Sequence, residues 1–489
     1  MGSIYLGLDI GTASAKCLAV DEAGRILTFA QHPYPLSHPQ QGWAEQDAED
    51  YWRGLVEVVT QCVRACEQQG RAPAEITALA MSTQGDTLIM VDESGRPLAP
   101  AISWMDTRAE KQCRGLLAET GKSFWYRNTG IGLTALSSAC KMRWVAENAP
   151  ALRARLARFC WVADFLAARL CGSFVADVPS ASWTPLFSAA QRRWSEPVLR
   201  VLGVGRERLP EAVESGMVIG KLVPEAMAAL GLAPHTKLVA GAFDQAAAAY
   251  GAGARARIRS VLSCGTAWVL YAVSIVPLMD EREQVPVCCH VTPSEWGMVL
   301  PFPGGAVYDW LRSGFQSGTA KGVGRAEPLV FIPHLYGGLS PDWRTESKGS
   351  LLGLTMAHTY EDVEIAVMRG LTFEAKRNVE AAERLSGGIG SVRMVGGAGK
   401  NETWAQMIAN ALGRPVEVSE WVESACYGAA KLAAGECAAE WEGAQAVREF
   451  LPIPSEVERE ERDYANYLRC YEALLRLYER EEWAKRGGN

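Results

Sequence analysis

LGLDIGTASAKCLAVD, residues 6–21, is echoed about half a chain later by SVLSCGTAWVLYAVS, residues 260–274. In each stretch a Gly-Thr-Ala triplet, Gly11-Thr12-Ala13 or Gly265-Thr266-Ala267, separates two apolar, β-branched runs. The pattern predicts a hairpin whose tight turn exposes small residues and backbone N–H groups. Such a turn can hold phosphate, because glycine lets the main chain approach an anion and a hydroxyl supplies one more donor. Either copy alone reads as an ordinary hairpin. The pair reads as two related domains with a nucleotide between them.

Composition agrees with that division. A chain of 489 residues is long for one core and suits two domains of roughly 200 to 250 residues, with an interdomain cleft as the natural ligand site. A formal net charge of −7 and the lack of a basic tract argue against a nucleic-acid partner. The 13 cysteines are scattered and form no Cys-x-x-Cys, as expected of reduced, buried thiols in a cytoplasmic protein. MGSIYLGLDIG enters a strand at once, so no export signal is expected. The uncharged segment Ser260 to Met279 contains Gly265, Thr266, Ser274 and Pro277 and reads as two buried strands, giving no membrane partner. The six histidines show no metal-ligand spacing.

Outward from the first turn, YLGLDIG, AKCLAVD and ILTFAQH predict a three-stranded meander with a turn at Glu22-Ala23-Gly24-Arg25. Asp47-Ala48-Glu49-Asp50 opens a helix whose apolar stripe is Leu55, Val58, Val59 and Cys62. ITALAMS is a buried strand leading to the loop Ser82-Thr83-Gln84-Gly85-Asp86, with TLIMVD returning. The region from Gly115 to Pro234 reads as mostly helical. KLVAGAF then gives a strand with Asp244 at its carboxyl end and an alanine-rich helix beyond. From Glu456 onward an amphipathic helix presents Tyr464, Tyr467, Leu468, Tyr471, Leu474, Leu475 and Tyr478 on one face, with charge supplied by flanking stretches that include EREEWAKR, 479–486.

Asp9 stands where a strand meets the first turn, which suits a magnesium ion bound through water, or an Asx-turn. Thr12, Ser14 and Lys16 follow it, and a lysine there would help neutralise phosphate. Asp244, at a strand-to-helix junction, suits a base that removes a hydroxyl proton during phosphoryl transfer, or simple capping. The helix dipole should keep it ionised. Val395 to Asn401 brings several glycines before a helix, but Met394 and Asn401 break the P-loop pattern. A flat adenine or ribose could lie there instead, with Asn401 bonding to it.

Taken together, LGLDIGTASAK, WAEQD, SWMDTR, CKMRWVAEN, AGAFDQAAAAYGAG, SCGTAWVL, KGSLLGLTM and VGGAGKNETWAQMIA resemble the FGGY carbohydrate kinases, the xylulokinases above all, in order along nearly the entire chain. The resemblance implies an α/β fold of two ribonuclease-H-like, actin-like ATPase domains, residues 1–245 and 246–489, closing on MgATP and a sugar or polyol. It implies Asp244 as catalytic base and Asp9 on the magnesium side. Gly11, Thr12, Gly265 and Thr266 correspond to the phosphate loops, and Gly305, Asp309, Gly396, Gly397 and Asn401 to the nucleotide side. Gln84, Gly85, Asp86 and Gln245, with Asp244, fall where the family meets its sugar.

Departures bear on the acceptor. Xylulokinases read Gln-Met-His-Gly where this chain has Gln84-Gly85-Asp86-Thr87, and Asp-Asn where it has Asp244-Gln245. A carboxylate at Asp86 accepts hydrogen bonds that a histidine would donate. Arg369 replaces an acidic residue, and Tyr336-Gly337-Gly338 stands for Ser-Gly-Glu. The resemblance nonetheless implies, as the expected activity, ATP-dependent phosphorylation of a ketopentose such as xylulose. Alternatives are a polyol kinase acting on erythritol, xylitol or glycerol, an actin-like ATPase, and a non-catalytic sugar sensor. A homodimer is left open.

Overall fold

β1 (Ile4–Ile10), β2 (Ser14–Asp21) and β3 (Ile26–Pro33) form the expected antiparallel meander, with Gly24 in the left-handed region at its turn. These coordinates are a computed structural model that describes residues 2–277, 279–314, 328–419, 423–441 and 447–478. Asp47 caps helix α1 (Ala48–Gln68) by accepting from Glu49 N, and Leu55, Val58, Val59 and Cys62 are buried as their spacing predicts. β4 (Ile76–Thr83) runs parallel to β1. After helix α2 (Ser138–Asn148) and β5 (Val218–Lys221), β6 (Lys237–Phe243) pairs parallel with β4 and leads directly into α3 (Asp244–Gly251). The sheet order is β5-β6-β4-β1-β2-β3.

The later half repeats the plan. β7 (Arg259–Cys264) and β8 (Ala267–Ser274) form an antiparallel hairpin, and β9 (Trp296–Pro303) neighbours β8. Helices α4 (Gly305–Gly314) and α5 (Tyr360–Ser386) precede β10 (Ser391–Gly396), which lies parallel to β7. Helix α6 (Glu402–Leu412) then connects to β11 (Val416–Ser419), parallel to β10, with β12 (Val447–Phe450) antiparallel at the edge. Six neighbouring strands of this seven-stranded sheet, β12-β11-β10-β7-β8-β9, follow the same order as β5-β6-β4-β1-β2-β3. The Gly-Thr-Ala repeat thus marks a repeated strand order, each copy at the turn of the corresponding hairpin.

Contacts divide the chain into two units. One comprises Met1–Gly253, Ser274–Gly297 and Glu423–Ala444; the other comprises Ala254–Val273, Met298–Val422 and Gln445–Asn489. The first unit therefore includes a late helix, Ser424–Ala434, which lies against β1 and α3. Close backbone approach requires small residues there. A Cβ on Gly7 would lie 1.9 Å from Cys426 O, and one on Gly428 would lie 1.9 Å from Ala247 O.

Two expectations need amendment. In TLIMVD only Ile89–Val91 is strand, and it pairs with Arg158–Cys160 instead of returning to the main sheet. Short ribbons, including Phe187–Ser188 with Arg193–Trp194, interrupt the helices between Gly115 and Pro234. Arg369 is matched locally, with Glu460 at 3.2 Å and Asp463 at 3.4 Å on the terminal helix Pro454–Tyr478. That helix buries Tyr464, Tyr467, Tyr471 and Tyr478, with Leu468, Leu474 and Leu475 packed beside them. The charged stretch 479–486 lies outside the described residues. No described helix is long and apolar enough to cross a membrane.

Candidate functional site

The first turn is set by sheet register. Asp9 lies opposite Lys16 on β2 and beside Ser82 on β4, so three polar side chains meet where β1 ends. Ser82 Oγ donates to Asp9 Oδ1 at 2.9 Å, while Oδ2 has no hydrogen-bond partner among the described residues. Burial raises the Asp9 pKa, and the nearby Lys16 opposes the shift. Lys16 Nζ donates to Glu423 Oε2 at 2.7 Å. Burial alone would lower the Lys16 pKa, but the bond to Glu423 raises it overall. Glu423 was invisible in the sequence reading because it stands immediately before the late helix Ser424–Ala434, far from the turn it serves.

A polar web fixes the turn. Gly11 N donates to Ser14 O at 3.0 Å, and Gln31 Nε2 donates to Ser14 Oγ at 3.1 Å. Thr12 Oγ1 donates to Gln84 Oε1 at 3.2 Å and accepts from Trp104 Nε1 at 2.9 Å. Gln84 also accepts from Thr87 Oγ1 and donates to Gly11 O and Gln46 Oε1. Its amide is thereby engaged by protein on both donor and acceptor sides, which braces the turn from below. Gln46 Nε2 completes the web by donating to Thr12 O at 2.8 Å.

WAEQD and SWMDTR owe their sequence prominence to one cluster. Arg108 Nη2 reaches Glu45 Oε1 at 2.7 Å and Asp106 Oδ2 at 2.8 Å, and its guanidinium lies 3.6 Å from the Trp43 ring centroid. Asp106 Oδ2 in turn accepts from Ala44 N at 2.6 Å. The cluster locks the segment carrying Gln46 to the segment carrying Trp104.

Asp244 is the first residue of α3, and its Oδ1 accepts from Gln245 N at 2.7 Å. The second oxygen has no partner among the described residues. Burial, reinforced by the charge of Asp9, raises its pKa to about 7. The helix dipole favours ionisation, as the sequence implied, but loss of water and a second carboxylate outweigh it. Asp86 has φ +54° and presents Oδ2 to Ser138 N at 3.0 Å, at the start of α2, and Oδ1 to Trp161 Nε1 at 3.4 Å. Burial raises its pKa, against the influence of Lys141. Lys141 itself is buried and donates to Ser103 O at 2.8 Å and Asp86 O at 3.5 Å, which ties the loop of Asp86 to that of Trp104. Its pKa falls to about 8 through burial.

The second unit holds the remaining candidates. Gly265, Thr266 and Ala267 are exposed, and Thr266 Oγ1 has no partner among the described residues. Gly305 N and Ala306 N donate to Gly265 O and Thr266 O at 3.0 and 2.9 Å, so the start of α4 braces this turn by backbone alone. Asp309 is exposed on α4. Gly396, with φ +100°, ends β10, and Gly397 begins the short turn before α6. Asn401 caps α6 by accepting from Trp404 N at 3.2 Å. Trp404 packs 5.1 Å from both Trp268 and Tyr308, an aromatic group that joins the glycine turn to α4.

A carboxylate with a free oxygen beside a phosphate-sized turn, and a second carboxyl poised near neutrality, can support proton removal from a hydroxyl and transfer to phosphorus. Comparison with known proteins agrees. Residues 4–251 match the N-terminal domain and residues 261–437 the C-terminal domain of the FGGY family of carbohydrate kinases. Over 97% of the chain and 99% of the relative, it is 28% identical to the xylulose kinase of Escherichia coli strain K12. It is 31% identical to the glycerol kinase of Methylibium petroleiphilum over 91% of the chain and 94% of that relative. A crystal structure described as a xyloylose kinase from Brucella ovis superposes with a TM-score of 0.89 at 27% identity, covering 97% of this chain and all (100%) of that one. The chain belongs to the FGGY family of carbohydrate kinases, with the two-domain α/β fold of those enzymes.

Proposed function

We propose that this kinase transfers the γ-phosphoryl group of ATP to one hydroxyl of a ketopentose such as xylulose. Asp244 carries the reading: a half-buried carboxyl at a helix start, pKa about 7, with one oxygen unpartnered among the described residues. It takes the proton from the acceptor hydroxyl as that oxygen bonds to the γ-phosphorus and the bond to ADP breaks. A base whose pKa lies near the working pH balances basicity against availability. Gln245 and the Gly85-Asp86 loop orient the acceptor. Gly11, Thr12, Ser14 and Lys16 bind phosphate, and Gly265 and Thr266 add backbone and hydroxyl donors. Gly305, Asp309, Gly396, Gly397 and Asn401 serve the nucleotide.

Asp9 suits magnesium, since Oδ2 has no protein partner among the described residues and no described cluster of three acidic, histidine or cysteine ligands competes. Such a site leaves most of the ion's shell to water and phosphate oxygens. When bound, magnesium would neutralise phosphate charge.

Asp86 favours a second reading. Its carboxylate accepts from hydroxyls, and a polyol such as erythritol, xylitol or glycerol offers hydroxyls throughout. Measurement of ADP release with ketopentoses, ketohexoses and short polyols, each against ATP alone, tests both. Turnover with a ketopentose supports the first, turnover confined to polyols the second, and acceptor-independent release overturns both.

A further inference from the structure

Gly85 owes its lack of a side chain to a residue a hundred positions away. A Cβ there would lie 2.4 Å from Trp183 Cδ1 and 3.0 Å from its Nε1, so the indole already fills that space. The Trp183 ring stacks on Phe243 with centroids 5.2 Å apart and planes 5° apart. The two residues it touches directly precede Asp86 and Asp244, so Trp183 stands beside both carboxyl-bearing loops. It is half-buried.

Its indole N–H has no hydrogen-bond partner among the described residues. Trp104, Trp125, Trp161, Trp194, Trp296, Trp404 and Trp441 each donate to a protein oxygen, while Trp43, Trp52, Trp144 and the buried Trp268 share the unpartnered state among the described residues. A half-exposed indole with its face fixed by stacking and its N–H free is suited to a ligand that has both C–H surface and oxygen atoms.

Charge narrows the ligand further. Asp9, Asp86 and Asp244 all belong to this unit. The cations acting on them among the described residues are Lys16, committed to Glu423, and Lys141, committed to two backbone carbonyls. An acceptor bearing a carboxylate would meet the like charge of Asp86 and Asp244, with both of these lysines already bonded within the protein.

We infer that Trp183 is a specificity-determining residue that contacts the acceptor, packing its indole against C–H groups and donating Nε1–H to a hydroxyl, and that the acceptor is an uncharged polyhydroxylated molecule, not a sugar acid. The inference rests on the kinase reading above and narrows it. Gly85 is the clearance residue that admits the indole.

The test uses the full-length chain and steady-state ADP release with the neutral acceptor that supports turnover, with sugar acids in parallel. Trp183→Ala should raise the acceptor KM about tenfold, the loss of roughly 1.4 kcal/mol of contact, with a smaller change in kcat and none in the KM for ATP. Trp183→Phe retains the ring and should recover part of the loss, and it stands in if the alanine variant fails to fold. An unchanged acceptor KM in either folded variant overturns the role of Trp183. Preference of the unaltered protein for sugar acids overturns the assignment of an uncharged acceptor while leaving the kinase reading intact. Failure of every acceptor to stimulate ADP release overturns the kinase reading and this inference with it.

Discussion

Asp9 and Lys16 face each other beside the first Gly-Thr-Ala turn, whereas Ser263 and Val269 face each other beside the second, whose loop is one residue shorter. Around the first, side chains of Gln84, Gln46 and Trp104 hold the threonine. Around the second, backbone N–H groups of Gly305 and Ala306 hold the loop and the threonine hydroxyl faces solvent. Either turn can offer donors to phosphate, but only the first has an acid and a lysine facing each other beside it. The two sheets share an order of six strands and a Gly-Thr-Ala turn, while the facing acid and lysine stand at one of them.

The sharpest break in that contrast is Asp244→Asn. It should lower acceptor phosphorylation about a thousandfold with nucleotide binding retained, as read by ADP release and calorimetric titration; unaltered turnover would remove the base from the first unit. Next comes Asp9→Ser, which copies Ser263. A loss of about a hundredfold in kcat is expected, together with a need for more magnesium, whereas Ser263→Asp should bring no gain. Equal effects of the two changes would mean that the turns are chemically equivalent.

Acidity gives a smaller effect. Because the Asp244 pKa is raised to about 7, the base is protonated below that pH. The pH profile of kcat/KM should rise through pH 7 and stand about tenfold below its plateau one unit lower. A profile flat from pH 6 to 8 would exclude this carboxyl. Least affected should be the threonines. Thr12→Val leaves the indole N–H of Trp104 without its acceptor and removes a donor from Gln84, costing roughly 1–2 kcal/mol of stability. Thr266→Val should fall within about 0.5 kcal/mol of the parent. Denaturant melts of the two variants would show whether the bracing differs as the hydrogen bonds indicate.

Both turns, the meander, α1 and the buried face of the terminal helix were legible because each is written in local periodicity or in turn chemistry. Asp9 and Lys16 could be paired from sequence since a short hairpin places them opposite one another. Other features depend on chain segments that meet only in the folded molecule. Glu423 beside Lys16, Trp183 over Gly85 and the bonds that engage Gln84 leave no trace in local pattern. For Asp244 the local cue, a helix start, pointed toward a fully ionised acid, while its tertiary surroundings reverse the balance. Local rules mark where the candidate residues stand; long-range burial sets their acidity.

The late helix Ser424–Ala434, seated on Gly7 of β1, gives the protein an order of assembly. A ribosome releases the first strand long before its cover, so the unit built on β1 reaches its finished form only after Ser424–Ala434 has been made. Products terminated before Glu423 keep an apolar seam open, the kind of surface that aggregates or is retained by chaperones, and the cell is thereby spared a half-built catalyst.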